Sequence, residues 1–293
     1  MVQERDPILS RRTLVSLATL LLIGPLLGGC DSDDGAPPEG AAMAALESVE
    51  GAEEAEAAPR EPLELILHGA MRRVNMEQDY SPTVRLADLE EVNHGVGALG
   101  GLMGEVTLWG DRLYLAEVYQ PDEETGGDNE IRFRSIALAD LADLPEDEPE
   151  LEATLFFGAN VARWEILEDH GVTDLAGLEA FLERWSGEEE IQGPVAIRIT
   201  DPLATVDWHV VDATRFPEEG AVSCEERKEF GHSFTTSRQP ARLVGLFTRE
   251  HTGVVVDHRT NLHTHVITDL GQNGHVDGLE LSVGAVIEVG TGG

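Results

Sequence analysis

The chain has 293 residues, with 56 Asp+Glu against 20 Lys+Arg and a formal net charge of −36. That balance speaks against nucleic acid or an anionic lipid surface as an electrostatic partner, because both need clustered Lys and Arg. The length suits one large or two small domains, and two cysteines are too few for a disulfide framework.

Residues 1–30 have the three parts of an export signal. Arg11-Arg12 precedes an apolar stretch over residues 14–27, and small residues follow, ending in Leu27-Gly28-Gly29-Cys30. Gly24-Pro25 interrupts the stretch, which is short for a spanning helix. The final four residues resemble a bacterial lipobox. That resemblance implies lipidation of Cys30 and an exported protein tethered to a membrane on its periplasmic or cell-surface side. The run Ser10-Arg11-Arg12-Thr13-Leu14 also resembles a twin-arginine export motif. An ordinary cleaved signal with a chance cysteine is the plainer alternative. With Cys30 acylated, Cys224 has no partner for an intramolecular disulfide and reads as a small core residue. Residues 31–60 hold nine acids, one base and no aromatics. Such a composition cannot offset its ordering entropy, so a disordered acidic tether is expected ahead of a domain over residues 61–293.

Within that domain, residues 63–68 alternate weakly as a first strand, and residues 86–89 suggest a short helix. Residues 105–109 and 112–118 flank Gly110-Asp111, a strong hairpin pattern. Residues 121–130 form a polar acidic loop, and 131–138 read as another strand. Thr173 is placed to cap a helix over 174–185, with Leu175, Leu178, Leu182 and Trp185 on one face. Residues 195–200, 243–248, 262–268 and 275–288 read as further strands. Strands outnumber helices and do not alternate with them, which predicts an α+β fold with mixed, largely antiparallel sheets.

Seven of the ten histidines lie between residues 209 and 275. His263 and His265 share one strand face about 7 Å apart, since side chains alternate. The turn-rich residues 269–274 would fold His275 back beside them. Three neutral imidazoles with an open fourth position suit a catalytic zinc site. His68, His94, His170, His232, His251 and His258 show no comparable arrangement and read as surface or core residues. Glu105 follows the glycine-rich residues 95–104 at the start of the hairpin, where a carboxylate can be aimed into a cleft.

Together these pieces resemble the α-acetolactate decarboxylase family. The resemblance runs through Gly95-Val96-Gly97, Leu102-Met103-Gly104-Glu105-Val106 and Gly110-Asp111-Arg112-Leu113-Tyr114. It continues in Ala196-Ile197-Arg198-Ile199, Leu243-Val244-Gly245-Leu246, Leu262-His263-Thr264-His265-Val266 and Gly274-His275-Val276-Asp277. It implies His263, His265 and His275 as ligands to zinc or another divalent transition metal, Glu105 as an active-site carboxylate, and a homodimer. The implied reaction takes a small keto acid, 2-acetolactate, to acetoin and carbon dioxide. Two features depart from the family pattern. The active-site arginine falls on His209, and the chain ends eighteen residues after His275, short of the family's tail glutamate. Of the remaining C-terminal carboxylates, Glu280 lies on the opposite strand face from His275. A metal- or ligand-binding lipoprotein without this chemistry stays open as an alternative. A cupin-like metalloenzyme is weaker, because Asp269 and Leu270 stand where that pattern wants a glutamate.

Overall fold

The computed structural model describes residues 62–121, 128–145, 150–168, 170–202, 204–217, 222 and 224–292. The expected export signal with Cys30, the expected acidic tether and most of the 121–130 loop lie outside them. Alternating apolar residues drive most of the described chain into two β-sheets. The first holds β1 (Leu65–His68), β2 (Val84–Arg85), β3 (His94–Leu99), β4 (Gly104–Trp109), β5 (Arg112–Tyr119), β6 (Glu130–Ala137) and β7 (Glu152–Ala159). Its order is β1-β7-β3-β4-β5-β6, with β2 also on β7. The second holds β8 (Arg163–Leu167), β9 (Val195–Pro202), β10 (Thr205–Val210), β11 (His232–Ser237), β12 (Pro240–Phe247), β13 (Leu262–Thr268), β14 (Asn273–Glu280) and β15 (Val286–Thr291). Its order is β11-β10-β14-β13-β12-β9-β15-β8. Every pairing between these strands is antiparallel. The described helices are α1 (Met71–Glu77), α2 (Leu175–Glu188) and α3 (Cys224–Phe230), with short 3₁₀ turns such as Leu86–Asp88. None is long and apolar enough to cross a membrane.

The sheets pack face to face. Val96, Ala98 and Phe157 of the first meet Val244, Leu246 and Ile267 of the second in a shared apolar layer. The outer face of the second sheet is covered by Leu178, Leu182 and Trp185 of α2. Val106, Leu108, Leu113 and Leu115 point to the outer side of the first sheet, where Leu86 and Leu141 of the 3₁₀ turns close over them. Because β4 alternates, Glu105 and Thr107 then face the second sheet.

The Gly110-Asp111 hairpin forms as expected, with Trp109 opposite Arg112. Three local details differ from the sequence reading. Asp174, not Thr173, caps α2: its carboxylate accepts the Gly177 N–H at 2.7 Å. An aspartate at this position reaches the third free N–H of the first turn, which a residue one step earlier does not. The glycine-rich run does not merely lead into a strand: residues 94–99 are themselves β3, wholly buried between β4 and β7. The residues read as one strand region over 275–288 are two, β14 and β15, which pair with different neighbours.

Candidate metal centre and its pocket

Strand alternation builds the centre. On β13, His263 and His265 both turn toward the first sheet, where His263 packs on Phe157 and His265 meets Thr107. The turn over residues 269–272 is tied by Thr268 N–H to the Gln272 carbonyl at 2.8 Å. It folds β14 back so that His275 stands directly opposite His265. The three ring centroids lie 5.0, 5.4 and 5.6 Å apart. One ring nitrogen from each falls within 4.8 Å of the other two.

Neighbouring groups select which nitrogens face the centre. His263 Nδ1–H donates to the Val255 carbonyl at 2.8 Å. Nδ1 of His265 lies 2.9 Å from Thr107 Oγ1, a hydroxyl that also receives the Asn273 amide at 3.3 Å. The carbonyl contact leaves Nε2 of His263 with its lone pair, and a His265 that donates from Nδ1 to Thr107 presents Nε2 in the same way. Nε2 of His265 is buried and has no hydrogen-bond partner among the described residues. An orphaned buried acceptor is costly unless something binds it, and three imidazole nitrogens so close together are a donor set that suits zinc. Burial pushes the His263 ring down to about 4, and holds those of His265 and His275 well below the usual imidazole range. All three are therefore neutral at pH 7, the form that ligates a metal. These residues can hold a metal ion.

Glu105 faces this group from β4. Gly104 before it has φ 127°, and a Cβ there would collide with the Ala116 carbonyl, so only glycine lets β4 and β5 close while delivering the carboxylate. Glu105 is 4% exposed. Its Oε1 accepts the Val211 N–H at 3.1 Å, and its Oε2 lies 3.7 Å from His265 Nε2. Burial pushes the carboxyl up to about 8, against the opposing pull of the Val211 N–H and Arg227. At neutral pH without metal it keeps its proton.

His209 sits on β10 directly opposite His275, with ring centroids 5.3 Å apart. Its Nδ1 lies 3.0 Å from each oxygen of Asp277, to which it donates. It belongs to the pocket wall but stands outside the group of three ligand nitrogens. Glu280 is exposed at the end of β14. Glu288 binds Arg198 through two contacts of 2.6 and 2.7 Å, and Trp164 stacks on that guanidinium at 4.2 Å. Neither carboxylate lines the pocket.

The pocket also contains groups that the sequence reading did not single out. Met71 of α1 and Arg227 of α3 reach it beside Glu105, His263 and His275, while Ala98 and Leu155 supply an apolar wall. Thr107 was legible in principle, being two residues beyond Glu105 on a predicted strand. Arg227 gives no local signal, since its position depends on how a short helix packs across the sheet.

By sequence, no family model and no curated protein matches this chain. By structure there are clear likenesses. A Staphylococcus aureus protein of unknown function, described as similar to α-acetolactate decarboxylase, matches with a TM-score of 0.55 at 16% identity, covering 78% of this chain and 85% of its own. α-Acetolactate decarboxylase from Bacillus subtilis strain 168 matches at 0.55 and 14% identity, over 78% of this chain and 86% of its own. The enzyme from Bacillus subtilis subspecies spizizenii gives 0.53 and 14%, over 78% and 86%. Likeness at such identity speaks to architecture, and on that ground the chain has the fold of α-acetolactate decarboxylase.

Proposed function

We propose that this chain is a zinc-dependent decarboxylase converting 2-acetolactate, or a related 2-hydroxy-3-keto acid, to acetoin and carbon dioxide. We further propose that lipidated Cys30 tethers it to a bacterial membrane on the exported side. One observation carries the catalytic reading: a buried carboxyl, Glu105, lies 3.7 Å from Nε2 of His265 and lines one pocket with His263 and His275, the other two of the clustered imidazoles.

His263, His265 and His275 would hold the zinc. When bound, zinc supplies Lewis-acid stabilisation of the negative charge that grows on the substrate's ketone oxygen. The C–C bond to the carboxylate breaks, carbon dioxide leaves, and the electron pair is delocalised between the α-carbon and that oxygen. Glu105, buried in the pocket beside the three imidazoles, is the carboxyl placed to give a proton to the α-carbon. The Val211 N–H stays on Oε1 and stabilises the carboxylate left behind, which then takes a proton back from solvent. His209, oriented by Asp277, closes the wall beside His275.

The test is direct. The purified full chain, loaded with zinc and given racemic 2-acetolactate, is expected to release acetoin and carbon dioxide. His263→Ala should remove both zinc and turnover. Glu105→Gln should keep zinc and lose on the order of 100-fold or more in kcat. Stoichiometric zinc without acetoin would favour the second reading, a metal- or ligand-binding lipoprotein, for which His209 at the family's arginine position speaks.

A further inference from the structure

An acidic domain that takes an anionic substrate needs a fixed positive group inside its pocket. Residues 61–293 carry 45 acids and 16 bases, a net −29, and the wall position read as arginine in the family is His209, tied to Asp277. A cation nonetheless reaches the pocket from another element. Arg227 of α3 is 7% exposed and lines the pocket with Glu105, His263 and His275. In this inner cavity it is the one Arg or Lys among the described residues; the adjoining cavity, which shares His209, His263 and His275, is lined by Lys228 and Arg259.

Several contacts hold it there. Asn75 of α1 accepts a hydrogen bond from Arg227 Nη2, so two helices meet through this side chain. The Gly231 N–H bonds the Arg227 carbonyl at 2.7 Å and ends α3. A Cβ on Gly231 would lie 2.8 Å from the Val210 carbonyl and 3.2 Å from the His209 ring, so the bare glycine lets the helix close onto β10. Arg215, near His209 in sequence, does not line the pocket; it donates to the Gly231 carbonyl at 3.1 Å and secures the same junction. The planar fork of donors on an arginine that lines the pocket matches a carboxylate.

We propose that Arg227 binds the substrate carboxylate, supplying from α3 the cation that β10 lacks, with Asn75 positioning its guanidinium. The pocket is then selective for small acids with a carboxylate at one end and metal-seeking hydroxyl or ketone oxygens at the other. This assignment rests on the decarboxylase reading for the identity of the acid.

The experiment uses zinc-loaded full chain and two unreactive probes of equal size, 2-hydroxyisobutyrate and its neutral amide. Calorimetry gives the ratio of their affinities. Wild type should prefer the carboxylate, and Arg227→Gln should lower carboxylate affinity on the order of 10- to 100-fold while leaving the amide and the zinc content unchanged. Arg227→Lys keeps the charge without the fork and should retain part of the preference; it is the working variant should the glutamine variant not fold. An unchanged carboxylate-to-amide ratio in these variants would overturn the assignment, as would no carboxylate preference in wild type. Acetoin production is scored separately. Turnover with an unchanged ratio would sink Arg227 alone, whereas an Arg227-dependent ratio without turnover would sink the decarboxylase reading and leave the anion site standing.

Discussion

His94 shows how one buried ring sets a pH limit on the fold. It is 1% exposed, bridges the two sheets through a 2.8 Å hydrogen bond to the Gly245 carbonyl, and packs its ring against Trp164. Burial, with Arg198 nearby, pushes its pKa from 6.5 down to about 4, outweighing the carbonyl's opposite effect. The folded state thus keeps His94 neutral while the unfolded chain protonates first as pH falls. The stability this gives is complete above pH 6.5 and is lost as pH drops toward about 4. Across that window the loss is about 3 kcal/mol. His94→Gln keeps an N–H for Gly245 and has no proton to gain. Denaturant unfolding of the metal-free proteins near neutral pH and near about pH 4.5 should show wild type losing more stability than the variant. A difference between them that does not change with pH would contradict this account.

At the scale of elements, β13 and β14 carry the three histidines that could hold a metal while α3 carries Arg227, so the two proposed roles are separable. Gly231→Ala forces a Cβ against Val210 and His209 and should destabilise the protein by about 1–3 kcal/mol. Zinc stoichiometry should be unaffected, because no ligand lies on α3, whereas affinity for 2-hydroxyisobutyrate should fall as the helix shifts. Loss of zinc in this variant would show that the helix and the hairpin are not independent. The same division explains what was legible in the sequence. His263, His265 and His275 were readable because strand alternation and a turn are local rules, and they fix a three-residue site within thirteen positions. The Gly110-Asp111 hairpin was readable for the same reason. β3 was not, because glycines at 95 and 97 break the alternation of apolar side chains although the strand is central and buried. Arg227 was also hidden. It lies forty-eight positions before His275, and only the packing of α3 against β10 and of Asn75 against its guanidinium brings it to the pocket.

The charge of the whole molecule acts on the same pocket from a distance. Arg227 brings a positive charge into the pocket, so the pocket itself is less hostile to an anion than the surface around it. The net −29 of residues 61–293 still opposes the approach of any carboxylate. Mobile ions screen long-range repulsion much more strongly than contacts inside a buried pocket. Raising sodium chloride from about 10 mM to about 150 mM should therefore tighten binding of 2-hydroxyisobutyrate by roughly 2- to 10-fold. The neutral amide should bind equally at both concentrations. If kcat/KM for acetolactate can be measured, it should rise with salt in parallel, through encounter rather than through the chemical step. The opposite trend, with salt weakening the acid, would mean that the local field of Arg227 and the metal outweighs that of the domain. The sign of the salt effect thus decides whether the acidic surface governs access to the pocket or is overridden within it.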